Sequence, residues 1–212
     1  CLSYGAGITY WPLMDLVRDD AGIEMADDRR TAREKLDRRL EELLAADVRE
    51  AVRARISVLL GLEPVGAALP GVAAERVGVE LSWGIRQYLE AVAAQRPLVL
   101  VIDDLQWAEP TVVEIIGQLA DESRDVPFLL MCLARPELLE RHPAWSGARP
   151  NASLIALEPL GGSETRTLLS RLLAIEELPP LIESQVAERC AGNPLFCEEF
   201  LRMLIEDGHL EF

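Results

Sequence analysis

The sequence predicts an α/β fold: a layered parallel sheet, preceded by a long all-helical stretch and followed by a small helical domain. Three observations carry that reading. Leu98-Val99-Leu100-Val101-Ile102 is an uninterrupted apolar run between Pro97 and Asp103, the pattern of a strand buried on both faces. Phe128 to Ala134 is a second run of the same kind. Between them, Val112, Val113, Ile116 and Leu119 recur at helical spacing behind Pro110, which suits a first helical turn over Pro110 to Ala120. Strands separated by helices pair in parallel and build layered sheets.

The remaining elements follow in order. Cys1 to Ser3 reads as the end of a strand, and Tyr4-Gly5-Ala6-Gly7 as a loop. Trp11 to Val17 suits a short helix with Pro12 in its first turn. Asp27 to Ala46 is a strong helix, with Leu36, Leu40, Leu43 and Leu44 on one face and mixed charges on the rest. Val48 to Leu60 continues as a second helix. Gly61 to Gly71 carries Pro64, Gly66 and Pro70 and reads as a loop. Val72 to Ala94 places Val77, Leu81, Ile85, Tyr88, Leu89 and Val92 at helical spacing. Leu154 to Leu157 is expected to be a third, shorter strand. Helices then follow at Ser163 to Leu173, Pro180 to Cys190 and Pro194 to Glu206.

Composition excludes several classes. Half of the 212 residues are apolar and 27% are charged, with 13 prolines and 14 glycines, which rules out disorder and collagen. No apolar run approaches the ~18 residues of a spanning helix, so no membrane partner is expected. A net charge of −15 argues against nucleic acid as a direct partner of this segment. Lys35 is the only lysine among 21 basic residues. The cysteines (Cys1, Cys132, Cys190, Cys197) form no C-x-x-C pair and read as reduced thiols, and His142 and His209 match no zinc spacing. The chain opens at Cys1 without a signal peptide, which predicts an internal piece of a longer cytoplasmic protein.

The chemistry concentrates after Ile102. Asp103 and Asp104 stand at the carboxyl end of a buried strand, where open α/β sheets bind ligands. Two adjacent carboxylates repel unless a cation sits between them, and Mg²⁺ is the usual one in phosphate chemistry. The alternative is that one aspartate caps the next helix while the other faces water. Arg135 ends the second strand and is placed to reach the same crevice and contact a phosphoryl group, or to be an ordinary surface arginine. Cys190-Ala191-Gly192-Asn193-Pro194-Leu195-Phe196 joins a helix stop to a helix start, with Gly192 left-handed and Pro194 opening the next helix. Taken alone it is a helix–helix corner.

Together these segments resemble a known family. Leu98-Val99-Leu100-Val101-Ile102-Asp103-Asp104-Leu105-Gln106-Trp107-Ala108-Glu109-Pro110 is similar to the Walker B region of STAND-type signalling ATPases, a branch of the AAA+ P-loop superfamily. Such modules accompany bacterial class III adenylate/guanylate cyclases and LuxR-type transcription regulators. Arg135 matches the family's sensor 1 position, and Gly192-Asn193-Pro194-Leu195-Phe196 its G-x-P lid element. Cys1 to Gly5 and Ile8 to Leu13 are similar to the segment after the P-loop helix. The resemblance implies an incomplete AAA+-like core over residues 1–158, with a helical insertion at about 22–95, and a helical lid over 159–212. It implies ATP or ADP with Mg²⁺, with Asp103 holding the metal through its water shell and Asp104 polarising the attacking water. Arg135 would then sense the γ-phosphate, while Gly192, Asn193 and Pro194 would be cofactor-binding, with Pro194 near the adenine. The expected partners are the nucleotide, other domains of the same polypeptide and a second copy of the chain.

One departure matters. The phosphate-binding loop G-x-x-x-x-G-K-[ST] is missing, and Lys35 has no glycine nearby. By the resemblance, the loop, its strand and its helix are expected before Cys1. In the implied strand order 5-1-4-3-2, the missing strand leaves a gap between Phe128–Ala134 and Leu154–Leu157. Each unpaired buried peptide group costs ~1–3 kcal/mol, so the isolated polypeptide is expected to aggregate readily and to bind ATP negligibly. Two rival readings remain: a non-enzymatic helical interaction module with vestigial ATPase features, and a metal-dependent hydrolase on Asp103-Asp104. The hydrolase lacks recognisable further ligands.

Overall fold

The computed structural model describes residues 10–145, 151–173 and 189–208. The expectations for Cys1 to Gly7 and most of Pro180 to Cys190 lie outside these residues. The chain divides into two compact units, Cys1–Ser153 and Leu154–Phe212.

The first unit opens with helices. In α1 (Trp11–Ala21), Pro12 occupies the first turn, where its missing N–H costs nothing, and Gly22 closes the helix at φ 64°. α2 (Arg29–Leu43) starts at Asp28, whose carboxylate accepts from the Thr31 N–H at 2.7 Å. α3 (Ala46–Leu59) and a short α4 (Val65–Ala68) follow, then a 3₁₀ turn at Ala74–Arg76 and α5 (Val77–Gln95). The predicted loop at Gly61–Gly71 thus contains one helical turn. The third long helix begins at Val77 rather than Val72, because residues 74–76 form the tighter turn.

Leu13, Val17, Leu36, Leu40, Val52, Ile56, Ile85, Tyr88 and Leu89 from α1, α2, α3 and α5 are almost fully buried in one core. Tyr88 donates its hydroxyl to Asp20 at 2.6 Å, and Arg39 reaches the same carboxylate at 2.8 and 3.1 Å. One carboxylate thereby ties α1 to both α2 and α5.

α3 and α5 cross closely at Gly84, where an added Cβ would lie 2.6 Å from the Arg55 Cβ. Arg55 sits over the Trp83 ring at 4.8 Å from its centroid and pairs with Glu80. Gly84→Ala gains about 1 kcal/mol of helix propensity. Overpacking at a fixed Cβ costs about 1–3 kcal/mol. The crossing wins, and the expected outcome is a lower urea midpoint at unchanged slope.

β1 (Leu98–Ile102) and β2 (Phe128–Cys132) pair in parallel, Leu98 opposite Phe128 and Ile102 opposite Cys132, with α6 (Pro110–Glu122) as the crossover. Leu98, Leu100 and Phe128 pack on the helical core, while Leu100, Leu130 and Cys132 pack with Val112, Val113 and Ile116 of α6. The opposite face differs from the expectation of strands buried on both sides. Val99, Val101, Leu129, Met131 and Leu133 are 41–59% exposed. The apolar alternation is doubled, but among the described residues helices cover only one face.

The expected third strand is also corrected. Leu154–Leu157 forms no strand, and Leu154, Ile155 and Leu157 are 67%, 78% and 88% exposed. A strand exists only where a neighbour accepts its hydrogen bonds, and among the described residues the sheet consists of β1 and β2. α7 (Glu137–Arg141) completes the first unit's helices.

In the second unit, α8 (Gly162–Leu173) and α9 (Pro194–Glu206) bury Leu169, Leu173, Cys190, Cys197 and Leu201 together. Cys132, Cys190 and Cys197 are free thiols. Burial and the neighbouring Cys197 push the Cys190 thiol up to about 12, and burial raises Cys132 to about 11. Cys132 and Cys190 thus stay protonated and act as small apolar groups. Among the described residues no helix is long and apolar enough to cross a membrane.

Candidate functional site

The site grows from the carboxyl end of β1. After Ile102 the strand ends in two exposed acids. Asp104 adopts φ 54°, ψ 42°, a left-handed conformation that aspartate tolerates better than most residues. Its N–H donates to Asp103 Oδ1 at 2.8 Å, which curls the chain off the strand into a 3₁₀ turn at Leu105–Trp107. Leu105 is fully buried and donates its N–H to the Leu133 carbonyl at 3.0 Å, while the Leu133 N–H donates to Ile102 at 2.9 Å. The turn is therefore stitched to the end of β2.

Gln106 holds the centre of this arrangement and is only 2% exposed. Its Nε2 donates to Asp104 Oδ1 at 2.8 Å, and its Oε1 accepts from the Arg135 N–H at 3.1 Å. Its backbone carbonyl accepts from Arg141 Nη2 at 2.6 Å. A buried amide thus spans the ends of both strands with donor and acceptor satisfied. The Arg135 guanidinium lies 6.0 Å from the Trp107 ring centroid, within cation–π range.

Of the residues singled out from sequence, Asp103, Asp104 and Arg135 come together at one rim through Gln106 and Trp107. Gln106 carried no role in the sequence reading. It was visible as an amide two residues after paired acids, but nothing in the local string marks a turn glutamine as buried.

Gly192, Asn193 and Pro194 belong to the second unit. Gly192 has φ 75°, and its carbonyl accepts from the Leu160 N–H at 2.8 Å. A Cβ there would meet Leu160 O at 2.5 Å and Leu160 N at 2.8 Å. Asn193 caps α9 by accepting from the Leu195 N–H at 3.0 Å, and Pro194 takes the first turn. These contacts form the helix corner that the residues predict when taken alone.

The donor chemistry at β1 fits Mg²⁺. That ion takes oxygen ligands and is held by one or two carboxylates, with waters and phosphates completing the shell. Asp103 and Asp104 supply such carboxylates at an exposed rim. Lys35 is placed elsewhere, on α2, where its Nζ pairs with Asp27 at 2.6 Å.

The family described as "AAA ATPase domain" matches residues 1–131, and a "Domain of unknown function (DUF8739)" matches residues 161–209. An uncharacterized protein of Rhizobium meliloti (strain 1021) is 32% identical over 125 residues, which are 56% of this chain and 11% of that protein. The chain thus spans about a tenth of that relative's length. No solved structure matches. The first match covers well over half of the 212 residues and includes β1, both aspartates and most of β2. The chain belongs to the AAA ATPase domain family, as an ATPase-type module of mostly helical α/β build.

Proposed function

We propose that this chain is the nucleotide-switched module of a larger bacterial signalling protein, of the STAND type that accompanies class III cyclases or LuxR-type regulators. The observation that carries the ATPase chemistry is the buried Gln106 bridge, which joins the tandem acids of β1 to the arginine-bearing end of β2. Asp103 would hold Mg²⁺, and the ion would supply neutralisation of the charge that develops on the phosphate oxygens. Asp104 orients the attacking water and takes its proton at a carboxylate oxygen. Arg135 donates to the terminal phosphate, with Trp107 under its guanidinium limiting where it points. By the same resemblance, Gly192, Asn193 and Pro194 of the second unit are cofactor-binding residues, with Pro194 the one near the adenine.

In this reading the phosphate-cradling loop is supplied by residues outside these 212, because none of them forms G-x-x-x-x-G-K-[ST] and Lys35 is engaged by Asp27. Loss of the γ-phosphate releases contacts that bound nucleotide had made, which is how such switches transmit state to other domains of the same polypeptide or to a second copy.

Hydrolysis by the natural protein that carries this chain tests the reading. Asp104→Asn lowers turnover by about a hundredfold or more, the usual range for a lost general base. Unchanged turnover in both Asp103→Asn and Asp104→Asn favours instead a helical interaction module, which the ion-paired Lys35 and the missing loop also suit. The 212 residues alone are expected to bind ATP negligibly. A calorimetric titration giving micromolar affinity for them would contradict this.

A further inference from the structure

We infer that Gln106 is the positioning residue of this site, a tie that holds the Asp104 carboxylate and the backbone at Arg135 in one register. The inference rests on the ATPase reading of Asp104 and Arg135 and adds a residue that touches neither nucleotide nor metal in that reading.

The geometry is specific. Asp104 sits in a left-handed backbone conformation just past β1, so its side chain is aimed by a single tight curl rather than by a regular strand. Arg135 follows β2 by three residues, with its guanidinium 6.0 Å from the Trp107 ring centroid and its N–H donated to Gln106 Oε1. One carboxamide spans the two, donating at 2.8 Å to Asp104 Oδ1 and accepting at 3.1 Å from the Arg135 N–H. The same residue is anchored at its backbone by Arg141 of α7 and sits at 2% exposure. A glutamine satisfied at both ends has one orientation, because reversing its amide would put Nε2 against an N–H and Oε1 against a carboxylate. A buried, fully satisfied amide of this kind rigidifies what it joins. Displacement of Asp104 is therefore passed to the end of β2, and the acid and the arginine move as a pair.

The test uses the full-length natural protein and two variants. Gln106→Met keeps the length of the side chain and removes both hydrogen bonds. Gln106→Glu keeps an acceptor for the Arg135 N–H and loses the donor to Asp104. Turnover and KM are measured with Mg-ATP, and amide hydrogen exchange of the peptide covering residues 133–138 is measured without nucleotide.

The expected result is a loss of turnover of about tenfold to a hundredfold in both variants, as for a displaced catalytic group. KM changes by less than turnover does, since Gln106 itself touches no nucleotide and only the Arg135 contact to the terminal phosphate is displaced. Exchange across 133–138 accelerates in Gln106→Met and remains close to the parent rate in Gln106→Glu. Turnover within about twofold of the parent in a folded Gln106→Met or Gln106→Glu protein overturns the inference. So does a rise in KM at unchanged turnover, or unaltered exchange in Gln106→Met. Should Gln106→Met not fold, Gln106→Glu alone decides by turnover. Asp104→Asn in the same protein separates the two levels. If that variant keeps full turnover, the ATPase reading has failed, and the exchange data then judge the tie by themselves.

Discussion

Gly192→Ala is expected to cost the second unit roughly 2–5 kcal/mol, combining the left-handed penalty for a non-glycine residue with backbone overpacking. Two independent constraints converge on this position. The backbone stands at φ 75°, and the space a methyl would fill is taken by the Leu160 carbonyl oxygen and amide nitrogen at 2.5 and 2.8 Å, with Pro159 Cβ at 2.9 Å. Backbone atoms cannot rotate away as a flexible side chain would. Relief requires breaking the 2.8 Å bond from the Leu160 N–H to the Gly192 carbonyl, which adds the cost of a lost hydrogen bond. The unit buries a small core of Leu169, Leu173, Cys190, Cys197 and Leu201 and has little stability to spare. Hydrogen exchange should show α8 and α9 opening while α2, α3 and α5 keep their protection. Asn193→Ala, which removes only the cap on the Leu195 N–H, is expected to cost about 1 kcal/mol.

Asp20→Ala is expected to lower the stability of the first unit by about 1.5–3 kcal/mol, the range for losing hydrogen bonds to a charged group. Asp20 and Arg39 are each 17% exposed at the side chain, so solvent screens the pair in part. Removing the carboxylate strands the Tyr88 hydroxyl, which is fully buried, and leaves Arg39 only its 3.1 Å contact to Glu42. Tyr88→Phe removes a single donor and should cost about 1–2 kcal/mol. Burial pushes the Asp20 carboxyl up, but hydrogen bonds from Arg39 and Tyr88 outweigh it and hold the group below the ordinary aspartate range. Burial first, and then the bond to Asp20, raise the Tyr88 hydroxyl well above the usual tyrosine range. The sign for Asp20 follows. A carboxyl whose folded pKa is depressed contributes its full stabilisation above its unfolded value of about 3.9. That contribution is lost as pH falls through the folded value. Urea midpoints measured from neutral pH downwards should therefore fall more steeply for the parent than for Asp20→Ala.

How far the sequence was legible depends on whether each feature was local. β1 could be read at Leu98–Ile102 because Pro97 and Asp103 bound it, and α9 at Pro194–Glu206 because a capping asparagine and a proline announce its first turn. Leu154–Leu157 carries the same β-rich signal and forms no strand, because pairing depends on a neighbour that a local string does not contain. For the same reason the apolar residues at both faces of β1 and β2 overstated their burial: they record what a strand tolerates, not which layers cover it. The site divides along the same line. Paired aspartates at a strand end, and an arginine one crossover later, are pattern features. The role inferred for Gln106 arises from burial between two strand ends and a bond to a residue 29 positions away, which no spacing rule encodes.

The exposed face at Val99, Val101, Leu129, Met131 and Leu133 bears on handling the protein. Parallel sheets are ordinarily covered on both sides, and an exposed apolar patch of this kind is a template for association. Aggregation of the isolated 212 residues is the expected consequence.

The central claim is that the carboxylates at 103 and 104 face bound metal and phosphate. The most direct measurement is ATP affinity of the natural protein with and without Mg²⁺, compared with Asp103→Asn. The account predicts that Mg²⁺ tightens ATP binding in the parent and that this metal dependence collapses in Asp103→Asn while metal-free affinity is retained. An undiminished metal dependence in Asp103→Asn would contradict it.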